Sequence, residues 1–186
     1  MAGTEKVTYS KPKVSGGIYR APLGTKLPAD AVSALDQAFK TLGYVSEDGM
    51  TNSNSPETSD TKAWGGAVVM SAQTSRADTF KVKLIEALNS EVLKLSYGDD
   101  RVTGTVETGL TVKAGPGDTE ESIYVVDMIL KGGALKRIVI PDAALTALGD
   151  IVYKDGEPVG YEVTLTAYPD ESGMTHYEYI KGGGEG

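Results

Sequence analysis

Apolar and polar residues alternate over Phe80, Val82 and Leu84 against Lys81 and Lys83, which predicts a half-buried strand. The same period of two returns at Val159, Tyr161, Val163, Leu165 and Ala167, set against Glu162, Thr164 and Thr166. Residues 123–130 are apolar throughout except Asp127, so that strand is expected to be covered on both faces. Gly132-Gly133 turns it into a strand over 135–140. Val106, Leu110 and Val112 share one face of a further strand, and Ala114 to Asp118 turns the chain. Residues 151–154 run into Asp155-Gly156, a hairpin signal. A turn at 169–173 leads to a last strand over 175–180. Residues 64–72 are apolar and small, a strand whose glycines let another backbone approach.

Two segments carry the helical period instead. Val32, Leu35, Phe39 and Leu42 are spaced three, four and three apart, with Asp30 to cap and Gly43 to close, which predicts a short helix over 31–42. Asn89 or Ser90 caps a second one, with Val92 and Leu95 inward and Gly98 at its end. Residues 1–27 read as an irregular arm, broken at Lys11-Pro12-Lys13, Gly16-Gly17 and Ala21-Pro22-Leu23-Gly24. Residues 46–62 are almost wholly polar, and two readings stand: a surface loop, or a segment ordered only against a partner. Residues 182–186 form a glycine-rich tail. The expected fold is mainly β, a β-sandwich or partly open barrel with one or two short helices, in a single domain over 28–181.

Composition narrows the chemistry. Cysteine is absent among the 186 residues, which excludes disulfides, thiolate metal sites and cysteine nucleophiles. The single histidine, His176, reads as a surface or packing residue. No phosphate loop, dinucleotide fingerprint, nucleophile elbow or zinc-protease spacing occurs, so neither catalysis nor a cofactor or metal is expected. Asp99-Asp100 lacks the further spaced oxygens of a cation site. Asp127 is the unusual acid, and the pattern leaves open a pore, a subunit contact or solvent at a sheet edge. The net charge of −8 opposes binding to nucleic acid or anionic membrane. No apolar run reaches the ~20 residues of a membrane helix, and the polar first thirteen residues carry no secretory pattern, so a cytoplasm is the expected place of synthesis. Ten tyrosines suit subunit contacts as well as ordinary strands.

Several runs together resemble a known family. They are Leu42-Gly43-Tyr44-Val45-Ser46-Glu47-Asp48-Gly49, Asn52-Ser53-Asn54-Ser55-Pro56, and Lys62-Ala63-Trp64-Gly65-Gly66. Residues 78–86, Leu130-Lys131-Gly132-Gly133, Arg137-Ile138-Val139-Ile140-Pro141 and 159–168 complete the set. In this order they are similar to the major tail tube proteins of long-tailed bacteriophages, over residues 11–181.

The resemblance implies a structural protein of the virion tail, without catalytic residues. It implies hexameric rings that stack head to tail into a hollow tube around a tape-measure protein, with tail terminator and tip proteins at the ends. The genome later passes through that tube. It further implies a β-sandwich whose two hairpins add four strands to a continuous inner barrel, while the long loop reaches the next ring. Some relatives carry an immunoglobulin-like domain after the tube domain, which the glycine-rich tail leads us not to expect here. On this basis Glu47, Asp48, Asn52, Asn54, Pro56, Glu57 and Lys62 are the expected inter-ring contact residues. Trp64, Gly66, Val68 and Met70 are expected on the inner sheet, paired with the strand before the loop. The second inner hairpin is expected around Asp155-Gly156, with Asp150 and Glu162 as lumen candidates. Six copies at −8 each carry roughly −48, which would repel phosphate from the lumen. The rival readings are another phage structural protein, for head completion or capsid decoration, and a soluble ligand-binding β-sandwich.

Overall fold

The strand Ser122–Leu130, apolar but for its first residue and Asp127, lies between the two cores of the molecule. The structure, a computed structural model, describes residues 7–13 and 17–183; parts of the expected arm (1–6 and 14–16) and tail (184–186) lie outside the described residues. The strands are β1 (Ser10–Pro12), β2 (Ile18–Pro22), β3 (Lys40–Thr41), β4 (Val45–Lys62), β5 (Val68–Leu84), β6 (Val102–Thr103), β7 (Thr111–Val112), β8 (Ser122–Leu130), β9 (Leu135–Leu148), β10 (Tyr161–Ala167) and β11 (Tyr177–Lys181). One helix, α1 (Ser90–Tyr97), sits between β5 and β6. Nine strands form one sheet in the order β3-β2-β8-β9-β10-β5-β4, with β1 also on β8 and β11 also on β9; β6 and β7 pair separately.

The two-sided burial expected of β8 is present. Tyr124 and Val126 enter the larger core with Phe80, Val82, Leu84, Ile138, Ile140, Val163 and Leu165. Ile123 and Val125, one residue out of phase, enter a smaller core with Ala21, Phe39 and Val139. Alternation along a strand sends neighbours to opposite faces, so one strand divides two cores. Residues from β5, β8, β9, β10 and α1 meet in the larger core, which makes a β-sandwich that is not closed into a barrel. Helix α1 covers it with Val92, Leu93 and Leu95; Asn89 caps the helix by accepting from the Glu91 N–H, and Gly98 ends it at φ 110°.

Strand β9 is longer than expected because Pro141 does not end it. Its first half pairs with β8 and β11 and its second with β10. The register with β8 shifts between Ser122 and Tyr124, opposite Ala143 and Ile140. The proline therefore falls in a bulge, where a missing N–H does not break the ladder.

Several expectations are corrected. No helix forms over 31–42. Asp30 Oδ1 does accept from the Val32 and Ser33 N–H groups, at 2.7 and 2.6 Å, as a helix cap would. The carbonyls of Asp30 and Ser33, which a helix would bond to its next turn, instead accept from Arg137 Nη1 at 3.1 and 2.9 Å. Asp36 starts a second turn by accepting from the Ala38 N–H. Phe39 and Leu42 are buried all the same, but in separate cores.

The segment 18–22, expected to belong to an irregular arm, is a core strand between β8 and β3. Residues 106–110 form no strand; only Thr111–Val112 pairs, with β6, and Val106 is exposed. Asp155-Gly156 does turn the chain, but residues 151–154 have no ladder partner, so no two-stranded hairpin forms there. Residues 46–62, read as a polar loop, are strand throughout. Asp127 faces neither a pore nor solvent; it is buried against Arg137.

Candidate assembly interface

The longest hairpin of the molecule leaves its own core halfway along. Strand β5 has two partners from Asp78 to Leu84, where β10 lies on its other side. From residue 77 back to Val68 it has only β4. Residues 55–73 and 75–77 are all exposed. At the ~3.3 Å rise of a strand residue, ten residues give an arm of about 33 Å.

Serine- and threonine-rich sequence holds this arm without a core because its hydrogen bonds run across the ladder. Arg76 Nε donates to Asn54 Oδ1 at 2.5 Å, and Ser75 Oγ to Glu57 Oε2 at 2.7 Å. Pro56 sits on the edge strand, the position in a sheet where proline is tolerated. The turn closes through Ala63 N–H to Ala67 O at 2.8 Å and Gly66 N–H to Ala63 O at 2.9 Å. Gly65 and Gly66 hold φ of 106° and 88°, a region that side chains with a Cβ avoid. That turn presents Trp64 fully exposed, and Val68, Val69 and Met70 follow it at 53, 63 and 58% exposure. Such an apolar cluster on a solvated arm marks a contact surface.

The root of the arm is fixed by Asp78, which is buried to 1% exposure. Its Oδ1 accepts from Asn52 Nδ2 at 2.7 Å; its Oδ2 accepts from Thr175 Oγ1 at 2.6 Å and lies 2.5 Å from His176 Nδ1. The His176 ring packs edge-on against Phe80, with centroids 5.3 Å apart. His176 is thus a packing residue at a specific joint.

The expected contact residues fall at different levels of the arm. Glu47 and Asp48 lie in a bulge at its base, where the register with β5 shifts between Val45 and Met50. Asn52 belongs to the root clamp, and Asn54, Pro56 and Glu57 lie on the edge strand. Lys62 ends β4 next to the turn, exposed. Trp64 and Gly66 are in the turn, ahead of the strand expected to contain them, while Val68 and Met70 lie on β5. The partner strand of this segment is the polar stretch itself. Asp150 is exposed just past β9. Glu162 lies on the polar face of β10 and pairs with Lys81 at 2.8 Å. Lys83 stands opposite it in register, so this face carries both signs of charge.

Two ion pairs escaped the sequence reading, one fully buried and one that joins a buried arginine to a half-exposed aspartate. Arg137 meets Asp127 with two bonds, Nε–Oδ1 at 2.6 Å and Nη2–Oδ2 at 2.9 Å. Arg20 donates to Ser122 Oγ at 3.0 Å and to Asp99 Oδ1 at 2.6 Å. A signal for the first existed: Asp127 and Arg137 are equidistant from Gly132, the centre of the β8–β9 turn. Among the described residues no cluster of side chains suits a metal ion, and no helix is long and apolar enough to cross a membrane.

An open β-sandwich with a free-standing, apolar-tipped hairpin defines a structural subunit shaped to meet other chains. The sequence profile of the family described as phage tail tube protein matches residues 13–183, and the chain belongs to that family. No curated protein sequence matches it. The family is a structural one, which gives this chain its role in the phage tail tube and its place in the virion tail.

Proposed function

We propose that six copies of this subunit close into a ring, and that rings stack head to tail into the conduit for the genome. The observation that carries this reading is the β4–β5 arm, whose residues 55–73 and 75–77 are all exposed beyond its root. An arm that binds a site elsewhere on the next copy makes a heterologous contact, and such contacts grow filaments. In this reading Glu47, Asp48, Asn52, Asn54, Pro56, Glu57 and Lys62 serve the contact between rings, while Trp64, Gly66, Val68 and Met70 line the inner sheet or its rim. The exposed edge of β4 pairs with a neighbour within the ring, which removes an aggregation hazard. Asp150 and Glu162 are proposed to face the lumen, where a net acidic assembly lets DNA pass without sticking. The tape-measure protein occupies the lumen before ejection, and terminator and tip proteins meet the two tube ends; assembly takes place in the host cytoplasm.

Electron microscopy of the concentrated protein tests the proposal. Six-fold rings or stacked tubes are expected. Stable monomers or trimers at every concentration would overturn it.

A further inference from the structure

The tip of the arm and an open, largely apolar groove on the sandwich lie at opposite ends of a single strand. Trp64 stands just before β5 and is fully exposed. Just after β5, past Leu84, the chain forms an open groove of about 590 Å³ lined by residues 85–89 together with Pro158 and Val159, with Glu86 and Asn89 as its polar members. Leu88 there is 70% exposed. The 17 residues of β5 separate tip from groove by up to about 50 Å at the usual rise per residue.

We infer that the tip of one copy, with Trp64 at its centre, docks in the 85–88 and 158–159 groove of the copy stacked on it. This rests on the stacked-ring reading and names the acceptor surface for its arm. Polarity supports the assignment. Donor and acceptor lie at opposite poles, so each copy engages one neighbour above and one below, and the contact repeats without closing. Chemistry supports it as well. A tryptophan ring flanked by Ala63, Ala67 and Val68 matches a groove walled by leucine, isoleucine, valine and proline side chains.

Charge complements shape. Lys62 is exposed beside the tip, and among the described residues no ion pair engages it. Glu86 on the rim is held by hydrogen bonds from the Tyr44 N–H at 2.9 Å and Asn89 Nδ2 at 3.0 Å. Neither donor is a cation, so the carboxylate is oriented by neutral groups alone.

The test uses the full chain, whose lack of cysteine makes introduced thiols unambiguous. Ala67→Cys and Pro158→Cys, both at exposed positions, are combined in one chain, which is assembled and then oxidised. The expected result is a ladder of covalent multimers that extends past six and collapses on reduction. Separately, Trp64→Ser and Leu88→Asp are each expected to raise the concentration at which tubes appear at least tenfold, with the melting temperature of the monomer unchanged. Tubes that form normally from Leu88→Asp, or that give no covalent ladder, overturn the docking site while leaving the stacked rings standing. Failure of the unaltered chain to form rings or tubes overturns the reading beneath it and the docking site with it.

Discussion

His176 Nδ1 lies 2.5 Å from Asp78 Oδ2, and this contact fastens the last turn of the chain to the root of the projecting arm. A carboxylate only accepts, so the proton of that ring nitrogen points at Asp78. The same acid accepts from Asn52 and Thr175, so three donors from two segments, β4 and residues 175–176, share one buried acceptor. Asp78→Ala takes this acceptor from Thr175 and His176, while Asn52 Nδ2 keeps its bond to the Thr79 carbonyl at 3.1 Å. We expect a loss of about 3 kcal/mol in urea unfolding, given ~1–3 kcal/mol for each buried polar group left without a partner and some relaxation. Asp78→Asn, which retains an acceptor oxygen, is expected to cost less.

The Asp127–Arg137 pair predicts a non-additive cycle. Arg137→Met leaves Asp127 charged and buried, a situation that costs about 3–5 kcal/mol. Asp127→Leu alone leaves Arg137 with only the Asp30 and Ser33 carbonyls. The double variant removes both charges, and it is expected to lose about 2 kcal/mol less than the two singles added together. Equilibrium denaturation of the four proteins measures the coupling.

Asp142 supplies a pH dependence. Its Oδ1 is buried without a partner, and burial together with the nearby Glu121 carboxylate holds its pKa above the ordinary 3.8. A raised folded-state pKa favours the neutral acid in the native protein. Its stabilising contribution is therefore complete below pH 3.8 and is lost as pH rises through the raised value. Asp142→Asn is expected to melt higher than the unaltered chain at pH 7, with the gap closing below the ordinary carboxylate range. Thermal melts from pH 3 to 7 show whether it does.

Gly17 reports on how tightly the first strands seat against β8. A Cβ there would stand 2.8 Å from the Asp127 carbonyl oxygen and 2.9 Å from Pro12 Cβ. Gly17→Ala is expected to destabilise by about 1–3 kcal/mol, the usual range for an overpacked site. The midpoint of urea unfolding reads this directly.

The arm should behave differently from the sheet that holds it. None of residues 55–77 belongs to either core, so its amides open without global unfolding. In hydrogen exchange on the free subunit, this segment is expected to exchange well before β8 and β9. In assembled tubes it is expected to become protected. Equal protection in both states would contradict a contact made only on assembly.

What could be read from the sequence follows from which interactions are local. The alternation at 161–167, the two-sided run of β8 and the capped helix after Asn89 all express themselves in residues near one another, and each is present in the structure. The segment 31–42 has a helical spacing and a sound cap, yet Arg137, more than a hundred residues away, takes the carbonyls the helix needs. Residues 46–62 look unable to order because burial is the usual source of order; here the ladder to 68–84 supplies it, and only the pairing reveals that. Ile18 to Pro22 looks broken by proline and glycine because its partner, β8, begins a hundred residues later. The sequence pattern puts Trp64 to Met70 on a strand, whereas their presentation on a projecting tip depends on where β10 stops supporting β5.

The pairing of Ile18 with Val126 has a consequence for synthesis. The first core strand leaves the ribosome long before its slot on β8 exists, and once β8 is made that slot is open to the same strand from any other nascent copy until the chain's own β2 docks. Strand exchange between subunits is thus a built-in kinetic hazard of this topology. In a host cell making many copies at once, the rate at which each chain captures its own β2 sets the yield of usable monomers.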